Sequence, residues 1–205
     1  MSLLIAEELV LLAYRPDTGR LGIGSVELEA AVAGGVLAEL VLGGRIALDG
    51  GRIVVTDPTP PGDEELDAAL ARLAAHPKAR KPEWWVGRLK SRKLRGRLLD
   101  RLIARGILTG QRVRILGIFP TWRFPALDLA AGQAVRDRVA SALAGAEPDA
   151  RTTALLGLVQ ATRLHRKAYP GIDKARLAQL TQGDWISVAV RRAINAAHAA
   201  AAGAG

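Results

Sequence analysis

The apolar positions fall into runs whose spacing is mostly that of helices, separated by short stretches rich in Gly, Pro and Asp. Leu3 to Ala13 predicts an amphipathic helix, ended by the turn residues of Arg15-Pro-Asp-Thr-Gly-Arg20. Val26 to Leu42 is apolar nearly all round and is stopped by Gly43 and Gly44, the pattern of a buried helix. Between Arg45 and Thr56, two β-prone runs flank Asp49-Gly50, a dipeptide suited to the left-handed residues of a tight hairpin turn. The loop Asp57-Pro-Thr-Pro-Pro-Gly62 can continue neither strand nor helix, and Asp63 opens an acidic first turn leading into a helix over Glu64 to Ala75.

A basic helix is predicted from about Pro82 to Arg105, followed by a second hairpin. The first strand of that hairpin runs from Arg112 to Ile118, and Phe119-Pro-Thr-Trp-Arg-Phe-Pro125 forms a projecting, proline-bearing aromatic tip, because proline cannot donate to a ladder. Further helices are expected at Ala130 to Leu143, Arg151 to Lys167, Asp173 to Leu180 and Trp185 to Ala200. This order predicts a mainly α fold, a single-domain helical bundle with small β-hairpins over residues 1–200 and a flexible tail over 201–205.

Composition narrows the class. With 205 residues, 49% of them hydrophobic and 24% charged, the chain has enough apolar material for a packed core. No uncharged apolar run reaches the length of a membrane span, and the apolar start lacks the basic region and cleavage site of a signal peptide. The absence of cysteine removes disulfides, thiolate metal ligands and thiol catalysis, which places the chain in the cytoplasm.

Candidate chemistry is sparse. His76, His165 and His198 are far apart and lack metal-ligand spacing. The glycine pairs complete no nucleotide-binding motif, and Asp63, Glu64, Glu65 and Asp67 are explained by the dipole of a helix's first turn. No nucleophile, base and orienter assemble, so the expectation is a protein that is not an enzyme, with no cofactor and no metal.

Charge changes the picture more. Eleven basic residues against two acidic ones lie between Lys78 and Arg105, an excess equal to the net +9 of the whole chain. Like charges crowded on one element repel, so the segment either meets an anionic partner or forms a solvated basic face. At about 100° per residue, Arg88, Arg92 and Arg95 form one stripe of a continuous helix, with Lys90, Lys93, Arg97 and Arg101 on another side and Leu94, Leu98 and Leu102 between. Planar guanidiniums bind phosphate oxygens in pairs, which makes the stripe a candidate phosphate or lipid site. Trp84 and Trp85 stand before the helix as either a core staple or an interfacial pair. Phe119, Trp122 and Phe124 on the second hairpin are candidates for membrane contact or self-association.

The stretches Leu3-Leu-Ile-Ala-Glu-Glu-Leu-Val-Leu-Leu12, Leu37-Ala-Glu-Leu-Val-Leu-Gly-Gly-Arg-Ile46, Asp57-Pro-Thr-Pro-Pro-Gly-Asp63, Leu66-Asp-Ala-Ala-Leu70, Arg92 to Thr109 and Phe119 to Pro125, in that order and spacing, resemble the Golgi phosphoprotein 3 family. The resemblance covers Leu3 to Ala200 and implies a mainly helical domain that binds phosphatidylinositol 4-phosphate on a cytosolic leaflet, with a β-hairpin used in self-association. It further implies that the family's paired phosphate-binding arginines correspond to Arg92 and Arg95. The family's eukaryotic members carry an additional pocket Trp and Arg at the places occupied here by Gly24 and Ala33.

Together these readings describe a peripheral membrane protein at the cytosolic face of a membrane, with an anionic phospholipid surface as partner and a possible homo-oligomer formed through the hairpin. The alternative is a nucleic-acid-binding protein that uses the same basic helix, as pI 10.7 would allow.

Overall fold

The structure is a computed structural model and describes residues 2–115, 118–169 and 171–203. Leu116 and Gly117 of the expected second hairpin, and Ala204 and Gly205 of the expected tail, lie outside the described residues.

Two helices make the centre. α1 (Ile5–Ala13) is buried on every side, and α2 (Ser25–Leu42) is buried along most of its length. α1 is therefore not the amphipathic surface helix its sequence predicts. α2, α5, α6 and α7 surround it, so even Glu7 and Glu8 are buried. Where α1 and α2 cross, a Cβ on Gly35 would lie 2.8 Å from the backbone N of Ala6, so only glycine allows this approach.

The first hairpin forms where Asp49-Gly50 predicts one, but one residue later: β1 (Ile46–Asp49) pairs with β2 (Arg52–Val55), Asp49 stands opposite Arg52 as the last strand residue, and the left-handed turn residues are Gly50 and Gly51. α3 (Glu64–Ala74) begins at Asp63, whose carboxylate accepts from the backbone N–H groups of Glu65 and Leu66.

The predicted continuous basic helix is two helices, α4 (Pro82–Leu89) and α5 (Arg92–Ala104). Lys90 and Ser91 between them are extended, and the Ser91 hydroxyl accepts from the Leu94 N–H at 3.1 Å. A serine able to cap a new helix thus outcompeted continuation of the old one.

In the second hairpin, β3 (Gln111–Ile115) pairs antiparallel with β4 (Phe119–Arg123). The aromatic segment is accordingly a strand and not the hairpin tip. Pro120 stands opposite Arg114 in register, which a two-stranded ribbon tolerates because both of its strands are edges.

The remaining helices are α6 (Leu129–Leu143), α7 (Ala150–Ala161), α8 (His165–Ala168), α9 (Lys174–Leu180) and α10 (Trp185–Ala202). The single helix predicted over Arg151 to Lys167 is broken at Thr162 to Leu164, where Arg163 takes a φ of 58°. α10 packs across α2, α4 and α7, which closes the bundle. The architecture is mainly α with two small antiparallel hairpins, and among the described residues no helix is long and apolar enough to cross a membrane.

Candidate functional site

The sequence places the whole excess charge on one segment, but much of it is spent inside the fold. Arg97 pairs with Glu65 through two hydrogen bonds, one of 2.8 Å from Nη2. Arg101 donates to both carboxylate oxygens of Asp63, at 2.7 and 3.2 Å, and its Nε lies 3.2 Å from Glu7. Arg105 reaches the same Glu7 at 3.4 Å, and Arg95 reaches Glu29 of α2 at 3.2 Å. These arginines fasten α5 to α1, α2 and the start of α3. Burial by itself would raise the Asp63 carboxyl, but hydrogen bonds and charge from Arg101, with the first N–H groups of α3, outweigh it and hold the group below the ordinary aspartate range.

Among the described residues Arg88, Arg92 and Lys93 have no ion-pair partner, and all three are exposed. Arg88, Arg92 and Arg95 do not form the predicted single stripe. The break at Lys90-Ser91 carries Arg88 into a separate groove of about 250 Å³ between α3 and α5, shared with Arg72, Lys93 and Arg97. Arg92 and Arg95 remain one turn apart on α5, as the spacing predicts.

Arg95 lines a second groove of about 630 Å³. It is also lined by Arg20 and Ser25, from the loop before α2 and its first turn, by Trp122 and Arg123 of β4, and by Phe124 just after the strand. The loop is held to the strand by the Phe124 N–H donating to the Gly19 carbonyl at 3.0 Å and the Ala126 N–H donating to the Pro16 carbonyl at 2.9 Å. Tyr14 and Phe124 meet edge to face at 5.3 Å, and Phe124 stacks on Trp122 at 6.4 Å. Burial raises the Tyr14 phenol above its ordinary value against the opposing charge of Arg95, so at neutral pH the phenol keeps its proton. α2 begins at Gly24 with no side-chain cap, which leaves first-turn N–H groups beside the groove.

The candidate aromatics divide. Phe119 and Trp122 are 62% and 60% exposed, and Ile118 beside them is 73% exposed. Phe124 is half-buried and serves as packing for Tyr14. Arg112 and Arg114, both exposed, stand opposite Trp122 and Pro120 and share their face of the ribbon. Trp85 is a core residue, whereas Trp84 lies at the surface under the Arg80 guanidinium at 5.3 Å.

Sequence reasoning did not find Arg20 or Arg123. The first is masked by its turn, and the second reads only as an interruption between two aromatics; the antiparallel register and the loop contact bring both to Arg95. Gly24 is exposed at the start of α2, and Ala33 is wholly buried within it, so neither position supplies a polar group to the groove. Among the described residues no group of three or more His, Asp and Glu side chains is placed to hold a metal ion.

A helical domain with a cationic groove at the base of an exposed aromatic hairpin is the class these features define. The chain belongs to the Golgi phosphoprotein 3 (GPP34) family, whose model matches residues 5–197. No curated protein matches it.

Proposed function

We propose that the groove between Arg20, Arg95 and Arg123 receives the anionic headgroup of a phosphoinositide-type lipid, of the phosphatidylinositol 4-phosphate kind, while the exposed hairpin enters the membrane interface. The observation that carries this reading is the convergence of three arginines, from three separate segments, on one groove whose rim bears Trp122. Arg92, one turn before Arg95 and without a carboxylate partner among the described residues, extends the cationic rim. Arg112 and Arg114 lie beside the aromatics, where each cation near an anionic surface adds about 1 kcal/mol. Attachment is then peripheral, at the face of the bilayer that carries anionic lipid, and the chemistry is recognition without catalysis.

The test is co-sedimentation with phosphatidylcholine vesicles containing phosphatidylinositol 4-phosphate. Arg95→Gln with Arg123→Gln lowers affinity tenfold or more, because losing even one charge-assisted hydrogen bond of about 1.5 kcal/mol has that effect. Phe119→Ser with Trp122→Ser weakens vesicle binding while leaving the melting temperature within a degree or two, since both side chains are exposed. Full retention of vesicle binding by the folded arginine variant removes the reading. Loss of duplex-DNA binding at matched salt, with vesicle binding intact, would instead favour a nucleic-acid partner.

A further inference from the structure

A second cavity, of about 430 Å³, lies where the end of α7, α8, α9 and the outer face of α10 meet. Its mouth carries Arg163, Arg166, Lys174 and Arg191, with Gln160 and Asn195 between them. Among the described residues none of these four cations has a carboxylate partner. The one acidic residue of the wall, Glu27, is engaged by His198, whose Nε2 lies 3.1 Å away.

Elsewhere in this protein, arginines are matched to Glu7, Glu8, Glu29, Glu39, Asp63 and Glu65. Four unmatched cations around one concavity raise a positive potential that costs stability unless an anion enters. Buried in the wall, His165 registers that potential: burial lowers its pKa first, and the charges of Arg166, Lys174 and Arg163 press in the same direction.

The backbone supports the same reading. Arg163 is the only non-glycine residue at positive φ among the described residues, at 58°, in the turn that ends α7. Its N–H donates to the Gln160 carbonyl at 3.0 Å, and its own carbonyl accepts from Arg166 at 3.1 Å. Glycine would hold that turn with less strain, yet the position carries a long cation directed to the cavity mouth. Gln160 is oriented by neighbours: its Oε1 accepts from the Thr181 hydroxyl at 2.9 Å and from Arg191 at 3.4 Å. The amide NH2 is therefore left as a donor.

We propose that this cavity is an anion site, separate from the headgroup groove, that binds a small ligand bearing two or more phosphate groups, either a soluble compound or the headgroup of a lipid. Two phosphates match four cations in charge, and guanidiniums with amide donors suit their oxygens. The volume is that of a small-molecule site. The inference does not rest on the proposed lipid groove.

The test is titration of the whole chain with inorganic pyrophosphate, followed by calorimetry and by backbone amide resonances. Pyrophosphate is expected to shift amides over residues 160–166 and 191–198. Arg163→Gly with Arg191→Gln should lower affinity at these amides tenfold or more while keeping or raising the melting temperature, because glycine relieves the turn. A purely structural arginine would behave in the opposite way. Arg95→Gln with Arg123→Gln should leave these shifts in place. Unmoved amides in the cavity, or unchanged affinity in the Arg163/Arg191 variant, overturns the proposal. If that variant also loses vesicle binding the ligand is a lipid headgroup, and if only pyrophosphate binding is lost the ligand is soluble.

Discussion

Replacing Arg101 with leucine is expected to lower stability at neutral pH by about 1 to 3 kcal/mol, because the buried Glu7 and Asp63 each lose a charge-assisted partner while Arg105 still reaches Glu7 and the first N–H groups of α3 still bond Asp63. Glu7 is 0% exposed and Asp63 is nearly covered, and Arg101 touches both. The arginine itself can reach water, so the carboxylates are the groups that suffer. For a domain of this length the melting temperature falls by about 2 to 12 °C, measured by calorimetry or circular dichroism. The sign of the pH dependence gives a sharper check. In the native chain the Asp63 pKa is depressed, so its contribution is present above the unfolded aspartate pKa and is lost as pH falls through the folded value. Without Arg101 only the first N–H groups of α3 oppose burial, so that pKa moves up from its depressed value and acid costs the variant less than it costs the native protein. The difference between the two melting temperatures should stay level from pH 7 down to about pH 5 and shrink as pH falls below about 4. A gap that stays constant or widens towards acid would mean that the arginine acts through packing alone.

Gly19→Ala is expected to damage both the fold and the headgroup groove. Gly19 sits at φ 62°, and a Cβ there would fall inside contact distance of the backbone N atoms of Phe124 and Pro125. Left-handed backbone costs a non-glycine residue about 1 to 2 kcal/mol. Overpacking against backbone that cannot swing aside adds about 1 to 3 kcal/mol. The loop must then leave the strand, which breaks the hydrogen bond from Phe124 to the Gly19 carbonyl and separates Arg20 from Arg95 and Arg123. Melting temperature and vesicle affinity should therefore fall together. Arg20→Gln with Arg123→Gln, by contrast, leaves the Arg95–Glu29 pair in place and should lose affinity with little loss of melting temperature. A Gly19→Ala protein that melts normally and binds vesicles as the parent does would show that the loop does not build the groove.

Signals that act over a few residues were legible. Asp49-Gly50 marks a hairpin whose turn falls one residue later, Asp63 caps α3, and the unbroken apolar run of α2 is buried. Two local signals were passed over. Ser91 reads as one residue within a basic helix until its capping of Leu94 divides that helix, which removes Arg88 from Arg92 and Arg95. Phe119 to Pro125 reads as a tip because proline is poor in a ladder, yet a ribbon of two edge strands accepts Pro120. Glu7 and Glu8 argue for an exposed face of α1, and only partners distant in sequence, Arg101, Arg105, Arg138 and Arg151, make their burial tolerable.

By itself the sequence determined the mainly α class, the presence of two small hairpins, the family resemblance and the concentration of charge around α4 and α5. Periodicity, caps and turns arise from neighbours in the chain, and charge is counted without coordinates. Only the tertiary structure decided which cations are free. Arg97 and Glu65 are 32 positions apart, Arg101 and Asp63 are 38 apart, and Arg105 and Glu7 are 98 apart. The same holds for the groove, where Arg20, Arg95 and Arg123 meet because one loop docks on one strand. Ion pairs and binding sites depend on distance through space, and neither periodicity nor composition carries that distance until the chain has closed around its core.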